Sequence, residues 1–167
     1  MKFIPLTKGY VAIVDDDDFD RLSKFKWSVS ETADGQTYAV RSIKDKERRA
    51  GRLMHKDVLA IADGDAIDHQ NRCGIDNRKE NLRVCTTTQN AQNRTPRIKW
   101  KGKTSKHKGV GYDKYHAGLS KWRARIKVNR KSKHIGWFAT EVEAVRAYNE
   151  AARQYFGEFA CLNEIAG

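Results

Sequence analysis

Cysteine is scarce in this chain of 167 residues: Cys73, Cys85 and Cys161 are the only three, and no two have Cys-x-x-Cys spacing. An odd number without that spacing argues against a disulfide framework and against a zinc ribbon. Reduced thiols in a cytosolic protein are the simplest reading. No apolar run approaches the ~20 residues of a membrane span. The stretch from Met1 to Lys8 lacks the long apolar core and small-residue cleavage site of a secretory signal. A soluble, cytoplasmic protein with no membrane partner is the expectation. Acids are scarce as well where the chain is most basic: between positions 97 and 134 the one acid is Asp113.

Net charge is +12 at pH 7. A field of that sign attracts polyanions, and nucleic acid is the commonest intracellular one. The charge is unevenly placed. Residues 1–95 carry 17 Lys/Arg against 15 Asp/Glu, net +2, and residues 96–167 carry 16 against 6, net +10. One half is nearly neutral and the other is an electrostatic magnet, which implies a division of labour.

In the neutral half, residues 10–14 read as a short buried strand. The acidic run 15–18 opens a helix, because carboxylates favour a helix N-terminus and Phe19, Leu22 and Phe25 then recur at i, i+3, i+6. Trp27-Ser-Val and residues 37–43 form a hairpin around Ala33-Asp34-Gly35. Residues 53–62 form a short helix ending near Asp63-Gly64. Residues 65–69 are a strand, 70–80 a polar loop containing Gly74, and 82–85 a second strand. Thr86 and its neighbours then open a helix that runs until Pro96. Residues 1–95 are expected to be one domain.

Residues 96–107 read as a basic linker, and 108–167 as a second domain. From 119 to 128 the chain alternates: Trp122, Ala124, Ile126 and Val128 point one way, Lys121, Arg123, Arg125 and Lys127 the other. Four cations on one strand face repel each other unless an anion lies there. Residues 133–138 form the next strand after the turn Asn129-Arg130-Lys131. Thr140-Glu-Val-Glu143 is a capping box opening a helix to Phe156, with Gly157 at its end. Ala144, Val145, Tyr148, Ala151, Ala152 and Tyr155 make its apolar stripe, which covers the apolar face of the sheet and leaves the cationic face outward.

The chemistry concentrates at Asp68-His69, with Asn81 twelve residues after the histidine and Asn90 twenty-one after it. Asp-His sets a hard oxygen ligand beside an imidazole. The asparagines offer an orienting amide and a second oxygen. These positions, with Asp76-Asn77-Arg78, Asn81-Leu82-Arg83 and Gln89-Asn90, resemble the HNH endonucleases of phage and mobile-element homing enzymes over roughly residues 50–95. The basic half, from Lys108-Gly109-Val110 through Ile135-Gly136-Trp-Phe138 to Phe159-Ala-Cys-Leu-Asn163, resembles the plant ethylene-response-factor (Apetala-type) DNA-binding domain.

The first resemblance implies an α+β fold: a ββα-metal (His-Me finger) HNH module, followed, from the second, by a three-stranded antiparallel sheet packed on one helix. It implies that His69 is the general base and that Asn81 orients it by accepting from the ring. Asp68 and Asn90 would bind Mg2+, with Mn2+ as a working substitute, and scissile phosphate oxygens and water would complete the shell. Asp76, Asn77 and Arg78 are loop formers, with Arg78 or Arg83 as phosphate contacts, and His55 has a helix-surface or packing role. The family's zinc-stapled members use paired cysteines; this chain lacks them, so packing must hold the unit together. The second resemblance implies that Lys108, Lys121, Arg123, Arg125, Lys127, Lys133 and His134 contact double-stranded DNA. Arg125 stands where the plant pattern has an acid and His134 where it has a tryptophan, so the plant target does not carry over. Trp122 and Phe138 are expected in the core. The expectation is a DNA endonuclease, its oligomeric state open with a monomer favoured, and a catalytically inactive DNA-binding transcriptional regulator is the alternative.

Overall fold

Short strands and two helices with reciprocal side-chain caps are the main elements. The computed structural model describes residues 1–33, 35–45, 48–61, 66–95 and 104–165. The chain divides into two compact units, Met1–Asn90 and Ala91–Gly167. It is a mixed α/β protein of several small antiparallel sheets and few helices. Among the described residues no helix is long and apolar enough to cross a membrane.

In the first unit, β1 (Lys2–Pro5) pairs with β2 (Val11–Val14), and α1 (Asp16–Leu22) follows. The sequence pattern did not predict β1. Helix α1 stops one turn before Phe25, which lies outside it with the Arg41 guanidinium 4.1 Å from its ring centroid. Strands β3 (Ser28–Glu31), β4 (Thr37–Asp45) and β5 (Arg48–Leu53) form an antiparallel sheet in that order. Trp27 precedes β3 and is buried, its indole donating to Leu22 O at 2.8 Å.

The helix expected over 53–62 is shorter. Leu53 ends β5, α2 covers Met54–Val58, and Ala60 takes a left-handed φ of 51°. Its expected end at 63–64 lies outside the described residues. Cross-strand partners Arg41 and Arg52 would repel. Asp57 of α2 accepts from both, at 2.6 and 2.5 Å, and so fixes the helix to the sheet. Ile4, Leu6, Ala12, Val14, Leu22, Trp27, Ala39, Met54, Val58, Ile67 and Leu82 make the core.

Strands β6 (Ala66–His69) and β7 (Leu82–Cys85) pair antiparallel, and α3 (Thr87–Asn93) follows. Thr86 and Gln89 cap that helix reciprocally: Gln89 N–H donates to Thr86 Oγ1 at 3.2 Å, and Thr86 N–H to Gln89 Oε1 at 2.9 Å. The expected stop at Pro96 lies outside the described residues.

In the second unit, β8 (Val110–Tyr112), β9 (Trp122–Val128) and β10 (Lys131–Phe138) form a sheet in the order β10-β9-β8, and α4 (Glu141–Phe156) packs on it. The capping box is present in both directions. Ala144, Tyr148, Ala151, Ala152 and Phe156 meet Ala124 and Ile126. Phe156 ends this stripe. Tyr155 is 46% exposed and turns back to Lys133. Of the expected linker 96–107, residues 96–103 lie outside the described residues, whereas 104–107 are folded. Thr104 Oγ1 accepts the Tyr112 N–H at 2.6 Å, and Ser105 Oγ donates to Glu141 Oε1 at 2.6 Å.

Gly109 admits the helix. Its φ is +75°, and a Cβ there would stand 2.2 Å from the Tyr148 ring and 2.4 Å from Arg125 O. Gly109→Ala is therefore expected to destabilise the protein by about 2 kcal/mol or more, combining left-handed strain with overpacking. A urea unfolding midpoint equal to that of the unmodified chain would contradict this contact.

Candidate functional site

A four-residue strand sends neighbours to opposite faces, and β6 sorts its chemistry accordingly. Ile67 and His69 share the face that meets the core; Asp68 faces the other way. Asp68 lies opposite Arg83 in the register of β7. Arg83 donates Nε and Nη2 to Asp68 Oδ2, at 2.9 and 2.6 Å, and Asp68 is 4% exposed. Asn90, on α3, lies against the same strand, its Nδ2 3.4 Å from Ile67 O. The Cys85 thiol is beside them. Burial and the charge of Asp68 push it up, against the opposing pull of Arg83 and the Asn90 backbone N–H. Of the two expected metal ligands, Asp68 thus carries Arg83 on its carboxylate, and Asn90 reaches the carbonyl of the residue before it.

On the other face His69 is 6% exposed. Its ring meets His55 edge-on at 5.0 Å between centroids and Tyr38 at 5.8 Å. Burial lowers the His69 pKa, while Asn77, Asp68 and Asp76 pull it back up, and the net direction is down. A neutral, proton-accepting imidazole at pH 7 follows. His55, expected in a surface or packing role, is buried beside the candidate base. Burial, then the charges of His69 and Lys56, push its pKa down to about 3. Tyr38 was not anticipated; nothing local in the strand pattern marks it.

Asn81, expected to orient the ring, has its amide engaged in the loop that follows His69. Its Oδ1 accepts the Asn71 N–H at 2.9 Å and its Nδ2 donates to Asp76 O at 2.7 Å, so the amide clamps the loop between β6 and β7. The physical reason is local: a tight polar loop leaves backbone groups that a buried amide can satisfy. The same loop is held by Asp76, which accepts from Arg78 Nε at 2.9 Å, Arg78 Nη2 at 2.8 Å and Asn71 Nδ2 at 2.8 Å. Arg78 is thus held within the loop by Asp76. Asn77, read as a loop former, is 0% exposed and donates its N–H to Ile13 O at 2.8 Å. Gly74 lets the loop reach β4: a Cβ there would stand 2.4 Å from Thr37 O and 2.6 Å from the Tyr38 ring.

In the second unit the cations divide in the same way. Ala124 and Ile126 are buried, and Arg123, Arg125 and Lys127 face outward. A bulge on β10 between His134 and Gly136 leaves His134 opposite Arg125 and Trp137 opposite Arg123. His134 and Trp137 thus join the cationic face. Trp137 is stacked on His116 at 3.6 Å, with the Arg123 guanidinium 5.7 Å from its ring centroid. Trp122 and Phe138 pack against the core.

Three further expected DNA contacts have partners within the chain. Lys133 lies opposite Ile126 on the helix side, its Nζ 3.3 Å from Tyr155 OH. Lys108 Nζ donates to Gln92 O at 2.5 Å and Arg94 O at 2.6 Å, closing carbonyls at the end of α3. Lys121 Nζ donates to Lys114 O at 3.1 Å.

Among the described residues no three His, Cys, Asp or Glu side chains gather as a metal cluster. The donor set that remains, one carboxylate and one amide, has the hard-oxygen character that Mg2+ takes when phosphate and water supply the rest. No protein-family model matches the chain, and no solved structure matches it. An uncharacterized HNH endonuclease of Acanthamoeba polyphaga mimivirus is 27% identical to it over 160 residues, 95% of this chain and 77% of that protein.

The buried imidazoles set a pH dependence. Folded His55 protonates near pH 3 against an ordinary value of 6.5. Stability is therefore full above pH 6.5 and falls as acid is added toward pH 3. The expected loss from His55 is roughly 2–3 kcal/mol between pH 6.5 and 4.5. Urea unfolding across that range is expected to show a flatter profile for His55→Gln. An unchanged slope would mean His55 is not buried neutral.

Proposed function

We propose that this protein is a metal-dependent DNA endonuclease of the HNH type, hydrolysing phosphodiester bonds at sites read by its C-terminal unit. The observation that carries the reading is the order β6, loop, β7, α3. It brings the Asn90 side chain to the carbonyl of Ile67, the residue before Asp68, and follows Asp68 with a buried His69 whose pKa is lowered. The similarity to the mimivirus protein over both units supports it.

In this reading His69 takes a proton from the attacking water as the water oxygen bonds to phosphorus and the phosphorus–oxygen bond to the leaving group breaks. Asp68 and Asn90 would hold Mg2+, or Mn2+ in its place. A bound dication supplies the positive charge that stabilises the phosphorane-like transition state and the departing oxygen. Tyr38 and His55 fix the ring of His69 by packing, and Asn81 fixes the loop that follows it. With one such site per chain, a monomer would nick; cutting both strands would need two copies or a reorientation.

The C-terminal sheet would enter the major groove, about 12 Å wide, with Arg123, Arg125, Lys127, His134 and Trp137 facing the DNA. Arginines there can read guanine and lysine can set register on phosphates. The Asp68–Arg83 pair favours a second reading, a DNA-binding regulator that does not cut, because the carboxylate already has a cation.

Incubation with supercoiled plasmid separates the two. Nicking with Mg2+, its loss in EDTA, and its loss in His69→Ala with DNA binding retained are the expected results. Binding without cleavage in both Mg2+ and Mn2+ would leave the regulator. The triple substitution Arg123→Ala, Arg125→Ala, Lys127→Ala is expected to reduce the salt slope of DNA binding by about three. An unchanged slope would remove this face from the interface.

A further inference from the structure

The carboxylate that the nuclease reading needs for a cation is already held by one. Asp68 and Arg83 are cross-strand partners, and two nitrogens of the guanidinium converge on a single carboxylate oxygen at 2.9 and 2.6 Å. Both groups are well covered, with 5% of the Asp68 side chain and 13% of the Arg83 side chain exposed. Asn90 lies beside them. A divalent ion arriving at Asp68 meets a fixed positive charge in a poorly screened place. A buried carboxylate left with no cation would be strongly disfavoured. Arg83 thus balances the carboxylate without a metal ion, and its charge opposes metal binding.

Resting on the assignment of Asp68 as a ligand, we propose that Arg83 couples divalent-cation binding to DNA binding. In the free protein it is the resident counter-ion of Asp68. When DNA is bound, a phosphate oxygen becomes its partner and Asp68 becomes available to the metal ion. A guanidinium suits this exchange, because its planar fork matches carboxylate and phosphate alike and its charge is permanent. No bond is made or broken; one ion pair replaces another. Each ligand then strengthens the other by the same factor. Arg83 is thus a positioning residue whose first effect is on affinity rather than on proton transfer. The protein is kept from loading its metal ion until a phosphate is present.

The test uses the full chain and Mn2+, whose free form is counted by electron paramagnetic resonance. Without DNA, the unmodified protein is expected to bind Mn2+ weakly, and Arg83→Gln to bind it more tightly by about 5–150-fold, the usual range of a coupling between sites. Adding Asp68→Asn to Arg83→Gln is expected to abolish the gain. Arg83→Lys, which keeps the charge, is expected to stay weak.

Should Arg83→Gln fold poorly, the same linkage is read without it. DNA affinity of His69→Ala, measured at constant ionic strength, is expected to rise with Mn2+ over EDTA, and Asp68→Asn is expected to remove that rise. A folded Arg83→Gln that binds Mn2+ no better than the unmodified chain overturns the coupling. So does a DNA affinity indifferent to Mn2+. If the unmodified chain still nicks DNA in either case, the nuclease assignment survives and Arg83 is only a structural partner. If no variant binds Mn2+ with or without DNA and nothing is nicked, both fall together.

Discussion

Two consecutive residues on a strand must face opposite ways, and that constraint organises the first unit. It sends the Asp68 carboxylate to Arg83 and the His69 ring to the core side, where His55 and Tyr38 meet it. The consequences are electrostatic. On one side a buried acid is balanced by a permanent cation. On the other, burial holds imidazoles neutral. The imidazole and the carboxylate are thus kept in separate surroundings, although the backbone joins them.

The loop between β6 and β7 gives this hairpin its rigidity. Two strands of four residues are marginal by themselves. Here Asn81 and Asp76 close the loop on itself, Asn77 and Ile75 bond to Ile13 of β2, and Gly74 seats it against β4. The residues that look most like idle polar filler therefore position His69 indirectly. They do for this unit what a metal staple or disulfides do in other small domains.

The C-terminal helix was fully legible in the sequence. Its capping box, its apolar stripe and Gly157 at its end are local signals with local causes, and only Tyr155 in place of Phe156 was misassigned. The cationic strand β9 was legible for the same reason. Strand β10 was legible too, starting at Lys131 rather than 133, but the facing of its side chains was not, because one bulge residue, Ile135, reverses the parity of residues 136–138 relative to 131–134. Trp137 therefore faces the cations while Lys133 faces the helix. The fates of Asn81 and Lys108 were hidden too. Spacing identifies an amide or an ammonium, but which backbone carbonyl or N–H captures it is decided by the closed fold. The strand β5 escaped notice because its residues carry no alternating apolar signal.

The account stands or falls on whether the corner formed by β6 and α3 is where a divalent ion meets this protein. Amide resonances of the full chain bound to a short DNA duplex report this directly when Mn2+ is added in small amounts, since the ion broadens nearby signals. The account predicts that the signals of Asp68, Cys85 and Asn90 fade first. Early loss confined to the acidic run Asp15–Asp18, with residues 68 to 90 unaffected, would contradict it.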